Sequence, residues 1–95
     1  MAAYVIAENL GTRNPEAMAA YRSKVAETVA QYGGKFLLRH GVVHELEGDW
    51  RPAFVVIEFP SVDQARAWYD SPEYRPLRED RWRYADTRLA LIAGV

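Results

Sequence analysis

Tyr4-Val-Ile-Ala-Glu8 alternates side chains in a β-rich run, which predicts a first strand. Gly11 to Asn14 reads as a loop. Asn14 is a good N-cap, Pro15 suits the first helical position, and Glu16 complements the helix dipole. Met18, Tyr21, Val25, Val29 and Tyr32 then recur at helical spacing and form one apolar stripe. Gly33-Gly34 ends that helix, because glycine tolerates a left-handed conformation just past the last turn. KFLLRHGVVHELE, from Lys35 to Glu47, reads as one long strand, with Gly41 marking a bulge or bend. Gly48 to Pro52 forms a turn, and Ala53 to Phe59 is the strongest strand of the chain. Ser61 and Gln64 have capping-box spacing and open a helix to about Asp70. Ser71-Pro72 repeats the start signal, with Ser71 as cap, and a second segment runs to about Ala85. Tyr74, Leu77, Arg78, Arg81 and Trp82 lie along one side of it. Thr87 to Ala93 is the last strand.

The order is strand, helix, strand, strand, broken helix, strand. That is the β-α-β-β-α-β pattern of α+β, ferredoxin-like folds, with a four-stranded antiparallel sheet and both helices on one face. The second face has its own signature. In FVVIEF, Val55, Ile57 and Phe59 point one way, and Phe54, Val56 and Glu58 point the other. Both sets are mostly apolar. Leu89 and Leu91 oppose Ala90 and Ile92 in the same manner. A sheet with one wet face alternates more cleanly. A second copy of the same sheet is the simplest cover, so the pattern predicts a homodimer through the sheet face.

Length and composition narrow the picture. The 95 residues make one domain spanning 1–95, too small for large stability alone. Twelve Lys and Arg against thirteen Asp and Glu set up no field for nucleic acid or an anionic membrane. With no cysteine there is no disulfide and no thiolate chemistry. The N-terminal run lacks a basic leader and is interrupted by Glu8, so a cytoplasmic location is expected. No Gly-rich phosphate loop, Ser/His/Asp arrangement or telling carboxylate pair occurs, and no cofactor is called for.

Candidate chemistry gathers in two places. Glu58 interrupts an apolar strand, and a buried carboxylate must be paired, hydrogen-bonded or protonated. With the hairpin centred near Asp49-Trp50, Glu58 falls opposite about Gly41, and Arg39 and His40 become its expected neighbours. Such a group is either a ligand anchor and acid–base pair or an internal ion pair that holds the strands in register. His40 and His44 lack a third ligand at a fixed spacing, so no metal site is expected. The second place is ARAWYDSPEYRPLRE, where Tyr69, Ser71 and Tyr74 surround a helix N-terminus that can hold a carboxylate or phosphate. Trp68 and Leu77 read there as core. The arginines from Arg75 to Arg88 are interleaved with acids and read as a solvated, salt-bridged face.

YVIAE, YGGKFLLR at 32–39, EGDW at 47–50, VVIEFP at 55–60 and WYDSPEY at 68–74 together resemble the small bacterial family called domain of unknown function 1330. The resemblance covers essentially the whole chain. It implies a ferredoxin-like fold in the dimeric α/β-barrel superfamily, and no known reaction. That superfamily includes cofactor-free monooxygenases, isomerases and haem-degrading enzymes. The resemblance also implies a glycine after Arg39, where this chain has His40.

These readings combine into one expectation. A homodimer binds a small organic, carboxylate-bearing or aromatic ligand in one pocket per subunit. Arg39, Tyr69, Ser71 and Tyr74 are the candidate ligand-binding residues, and Glu58 and His40 the candidate acid–base groups. The enzymatic alternative is a cofactor-independent monooxygenase or isomerase. The non-catalytic alternative is a structural dimer.

Overall fold

Why the chain turns where it does follows largely from its caps. In a computed structural model that describes residues 1–50 and 54–95, strand β1 spans Ala3–Thr12 and helix α1 spans Pro15–Gln31. Asn14 accepts from the Ala17 amide at 3.0 Å and fixes the start of α1. Gly33, at φ 79°, closes its end, with amides of Gly33 and Gly34 bonded to the carbonyls of Ala30 and Val29. Strand β2 covers Lys35–Arg39 and β3 covers Phe54–Phe59. Helices α2, Val62–Tyr69, and α3, Arg75–Tyr84, follow, and β4, Ala85–Ala93, completes the sheet. The strand order is β2-β3-β1-β4, antiparallel throughout. Among the described residues no helix is long and apolar enough to cross a membrane.

The helices cover one face. Val5, Ile57 and Phe59 of the sheet, Val25 and Val29 of α1, Ala65 and Trp68 of α2, and Tyr74 and Leu77 form one buried cluster. Trp68 is its centre. Its ring lies 4.1 Å from that of Tyr74 and 5.4 Å from that of Phe59, and its indole donates to Thr28 at 3.0 Å. The opposite face carries Tyr4, Ile6, Val56 and Glu58, set by the pairs Tyr4↔Glu58 and Ile6↔Val56. Leu38 and Ile92 are about half exposed there.

Three expectations need correction. First, the strand after α1 does not run to Glu47. It stops at Arg39, because His40 adopts φ 58°, a left-handed conformation that turns the chain off the ladder. The irregularity in pairing falls between Phe36 and Leu38, not at Gly41. Residues 40–50 fold back locally, with the Trp50 amide bonded to Glu45 and the Trp50 indole to the Glu47 carbonyl. The end of the expected turn, 51–52, and Ala53 lie outside the described residues. Second, Gly11 is not in a loop. β1 continues to Thr12 past a bulge between Asn9 and Gly11. Third, the broken helix resumes at Arg75 rather than Pro72. Residues 71–74 form a turn in which Ser71 Oγ accepts from the Tyr74 amide at 3.1 Å and donates to the Trp68 carbonyl at 2.7 Å.

The capping box at Ser61 is half formed. Ser61 Oγ accepts from the Gln64 amide, but the Gln64 side chain reaches the Tyr32 carbonyl instead of turning back. That bond ties the start of α2 to the end of α1.

Candidate functional site

A cavity of about 80 Å³ lies between the helical face of the sheet and helices α1 and α3. One water needs about 10–15 Å³ on this scale, so the space suits several waters or one small ring. Its walls are apolar: Val5, Val25, Phe36, Val55, Ile57 and Leu89. Into this lining project Tyr21 from α1, Tyr74 from the turn before α3, and Arg81 from α3. Arg39 and His40 stand at the end of β2, with Arg22 opposite on α1.

Arg81 is the unusual member. It is only 5% exposed, and long charged side chains are seldom buried without an opposite charge. Its Nε donates to the Tyr74 hydroxyl at 3.4 Å, and its Nη1 donates to Thr87. Four ion pairs form among the described residues, and none includes Arg22, Arg39 or Arg81. Glu8 borders the cavity, but its carboxylate is clasped by Arg88 at 2.7 and 2.8 Å. Among the described residues Arg81 therefore has no carboxylate within ion-pairing distance. Burial works against that charge, but the phenols of Tyr74 and Tyr21 outweigh it and hold the guanidinium above its ordinary range.

Tyr21 and Tyr74 share a hydrogen bond of 2.7 Å between hydroxyls. Burial, then the neighbouring Tyr74, push the Tyr21 phenol well above its ordinary value, so it stays protonated and able to donate. At the mouth, His40 is lowered, first by burial and then by the charges of Arg22 and Arg39. It is neutral at pH 7 and can accept a proton. Arg39 lies over the Phe36 ring at 4.4 Å and donates to the Arg22 carbonyl at 2.8 Å.

Of the six residues singled out from the sequence, Arg39, His40 and Tyr74 line this cavity. Three do not. The Ser71 hydroxyl is used up by its two backbone bonds, and the amides of Tyr74 and Arg75 are bonded to Ser71, so neither that hydroxyl nor those two amides is open to an anion. Tyr69 faces a separate shallow cleft between α2 and β4, with the Arg78 guanidinium 4.6 Å over its ring. Glu58 sits on the opposite face of the sheet. It pairs with Lys35 at 3.3 Å and receives the Tyr4 hydroxyl at 3.4 Å, and its ladder partner in β2 is Lys35. The expected approach to Arg39 and His40 fails because β2 is short and carries an irregularity at Leu37. Arg39 is brought opposite Val55, which faces the helices. Among the described residues no three His, Asp or Glu side chains gather where a metal ion could be held.

Sequence reasoning missed Tyr21 and Arg81 as site residues. Tyr21 read as one member of the α1 core stripe, and Arg81 as part of a solvated face. A signal for Arg81 was present: Tyr74, Leu77 and Arg81 follow i, i+3, i+7, the spacing of a buried stripe.

None of the curated proteins matches the chain. Solved structures do. A protein of unknown function from Rhodopseudomonas palustris is 20% identical, with a TM-score of 0.77, over 99% of this chain and 82% of that one. A dimeric ferredoxin-like protein of unknown function from Thermobifida fusca is 16% identical, with a TM-score of 0.65, over 99% and 92%. SnoaB, a cofactor-independent oxygenase from Streptomyces nogalater, is 18% identical, with a TM-score of 0.63, over 99% and 92%. At these identities the likeness establishes the ferredoxin-like fold alone. The sequence itself matches the family described as Domain of unknown function (DUF1330) over residues 2–95, and the chain belongs to that family.

Proposed function

We propose that this domain binds a small organic anion in the cavity between its sheet and helices, and that it does so as a homodimer. One observation carries the ligand reading: the buried Arg81 guanidinium, on the cavity wall, has no carboxylate within ion-pairing distance among the described residues. A buried charge without a counter-charge is unfavourable, and an anionic ligand supplies one. The apolar walls and the ring of Phe36 suit a ligand whose remainder is aromatic or aliphatic. Arg39 stands where it can hold a second polar group. The sheet face away from the helices, with Leu38 and Ile92 half exposed, supports the dimer, as do structural neighbours described as dimeric.

A proton-transfer version is favoured by His40, which is neutral, lowered in pKa and placed at the cavity mouth. In this version His40 is the base. Glu58, on the far side of the sheet, takes no part. The fold-level likeness to a cofactor-independent oxygenase is compatible with it.

Native mass spectrometry of gently purified protein, followed by denaturing mass on the same sample, tests the proposal. The expected result is a dimer carrying extra mass that is lost on denaturation. A monomer at micromolar concentration refutes the dimer. A ligand-free protein whose melting temperature ignores millimolar phenols and aromatic carboxylates refutes the ligand reading.

A further inference from the structure

The register of the sheet sets how far the cavity reaches. Arg39 pairs with Val55, Val55 with Ala7, and Ala7 with Leu89. These four positions form one line across β2, β3, β1 and β4, and all four line the cavity. Paired strands lie about 4.8 Å apart, so the line is about 14 Å long. Its floor between the two edge strands is apolar, and a guanidinium stands at each end.

At the β4 end Arg81 Nη1 donates to Thr87, two residues from Leu89 and on the same face. Its Nε donates to Tyr74, and its Nη2 donors have no partner among the described residues. At the β2 end the Arg39 guanidinium lies 4.4 Å over the ring of Phe36, a residue of its own strand, and Nη2 donates to the Arg22 carbonyl. Its Nε and Nη1 have no partner among the described residues. Each head group is thus tied to its own edge of the sheet, and the two do not converge on one point. Neither forms an ion pair among the described residues, and the carboxylate of Glu8 is taken by Arg88. A ligand with one anionic group answers one end and leaves the other. We infer that the ligand class is a rigid dianion, an apolar ring or chain with an anionic group at each end, held by Arg81 inside and by Arg39 at the mouth. This deepens the proposed function and rests on it. Two charge-assisted contacts of about 2.8 Å leave roughly 8 Å of the line, the span of a benzene ring with carboxylates in para positions.

The test is calorimetric titration of the intact protein with terephthalate, phthalate and benzoate at one ionic strength. Terephthalate carries its carboxylates at opposite ends of the ring, phthalate carries the same charge on adjacent carbons, and benzoate has one carboxylate. Terephthalate is expected to bind at least about fivefold tighter than either of the others. In Arg39→Gln that advantage should vanish and terephthalate should fall to the level of benzoate. Phthalate binding as tightly as terephthalate overturns the inference, because charge rather than span is then recognised. An advantage that survives in Arg39→Gln overturns the second anchor. Should Arg39→Gln not fold, the parent series decides alone. Benzoate binding as tightly as terephthalate overturns the inference while sparing the anion cavity. Binding of none of the three overturns both.

Discussion

Replacing Arg81 with Met separates a charge kept for a ligand from one kept for the fold. Arg81→Met preserves much of the side-chain length and removes the ion. Two charge-assisted hydrogen bonds disappear, from Nε to Tyr74 and from Nη1 to Thr87, each worth about 1.5–3 kcal/mol net. Against this stands the desolvation of a guanidinium that is 5% exposed, an effective penalty of several kcal/mol for a buried ion. Burying the Met side chain adds roughly 1.5–3 kcal/mol. Tyr74 keeps its bond to Tyr21, so no buried hydroxyl is orphaned. The terms nearly cancel or favour the variant. Arg81→Met is therefore expected to be as stable as the parent or up to about 3 kcal/mol more stable. For a domain of this size each kcal/mol corresponds to about 4–8 °C in melting temperature. The assay is urea and thermal unfolding of both proteins at equal protomer concentration, because a dimer's apparent stability depends on it. In the same assay the parent should gain about 2.7 kcal/mol from a ligand at a hundredfold excess over its dissociation constant, and the variant nothing. If Arg81→Met loses more than about 2 kcal/mol, well beyond the expected range, the guanidinium is a compensated structural group and the reasoning fails.

The other predictions concern the frame of the site. Thr28→Val removes the acceptor of the buried Trp68 indole and should lose about 1–3 kcal/mol in a urea titration. Gly34→Ala would place a Cβ 2.7 Å from Phe59 Cε1 and from Val29 Cγ1, so overpacking should lose about 1–3 kcal/mol in the same measurement. Glu58→Gln weakens a partly exposed pair with Lys35 and should change stability by less than about 1 kcal/mol. It should also leave intact any melting-temperature shift produced by phenols or aromatic carboxylates, and loss of that shift would place the site on the wrong face of the sheet. His40 makes stability depend on pH. Its native pKa is lowered, so as pH falls through 6.5 the unfolded chain binds a proton first, and stability is lost until the lower native value is passed. The midpoint of urea unfolding should therefore drop between pH 7 and pH 5 more in the parent than in His40→Gln.

The fold was legible because its punctuation is local. Asn14-Pro15, Gly33-Gly34 and Ser61 act through bonds to residues within five positions, and each is found where its chemistry puts it. The extent of β2 was not legible, because a strand continues only while it has a partner. FVVIEF supplies six residues, and its pairing runs out at Arg39, while KFLLRHGVVHELE contains enough β-formers to suggest thirteen. The left-handed His40 is where the two part. It also explains why the resemblance implies a glycine there: φ 58° is a conformation a glycine adopts without strain. This chain keeps the turn and gains an imidazole at the cavity mouth.

Glu58 and Arg81 show which sequence signals point to a site and which do not. Both are charges in an apolar run, and interruption of the run drew attention to Glu58 alone. Strand parity settles its position: Ile57 faces the helices, so Glu58 faces away, where Lys35 and Tyr4 already satisfy it. A residue satisfied by its own sheet has little left to offer a ligand. Arg81 was hidden because its neighbours in sequence, Glu79, Asp80 and Arg83, make the segment look like a solvated face. Helical periodicity separates them. Arg81 shares the stripe of Tyr74 and Leu77, both buried, and on that stripe no acid accompanies it among the described residues. A charge that follows the apolar period without an opposite charge on the same stripe is the stronger pointer to a site, because no carboxylate on that stripe answers it. By that criterion the chain has one such residue in α3, and the cavity lies where it points.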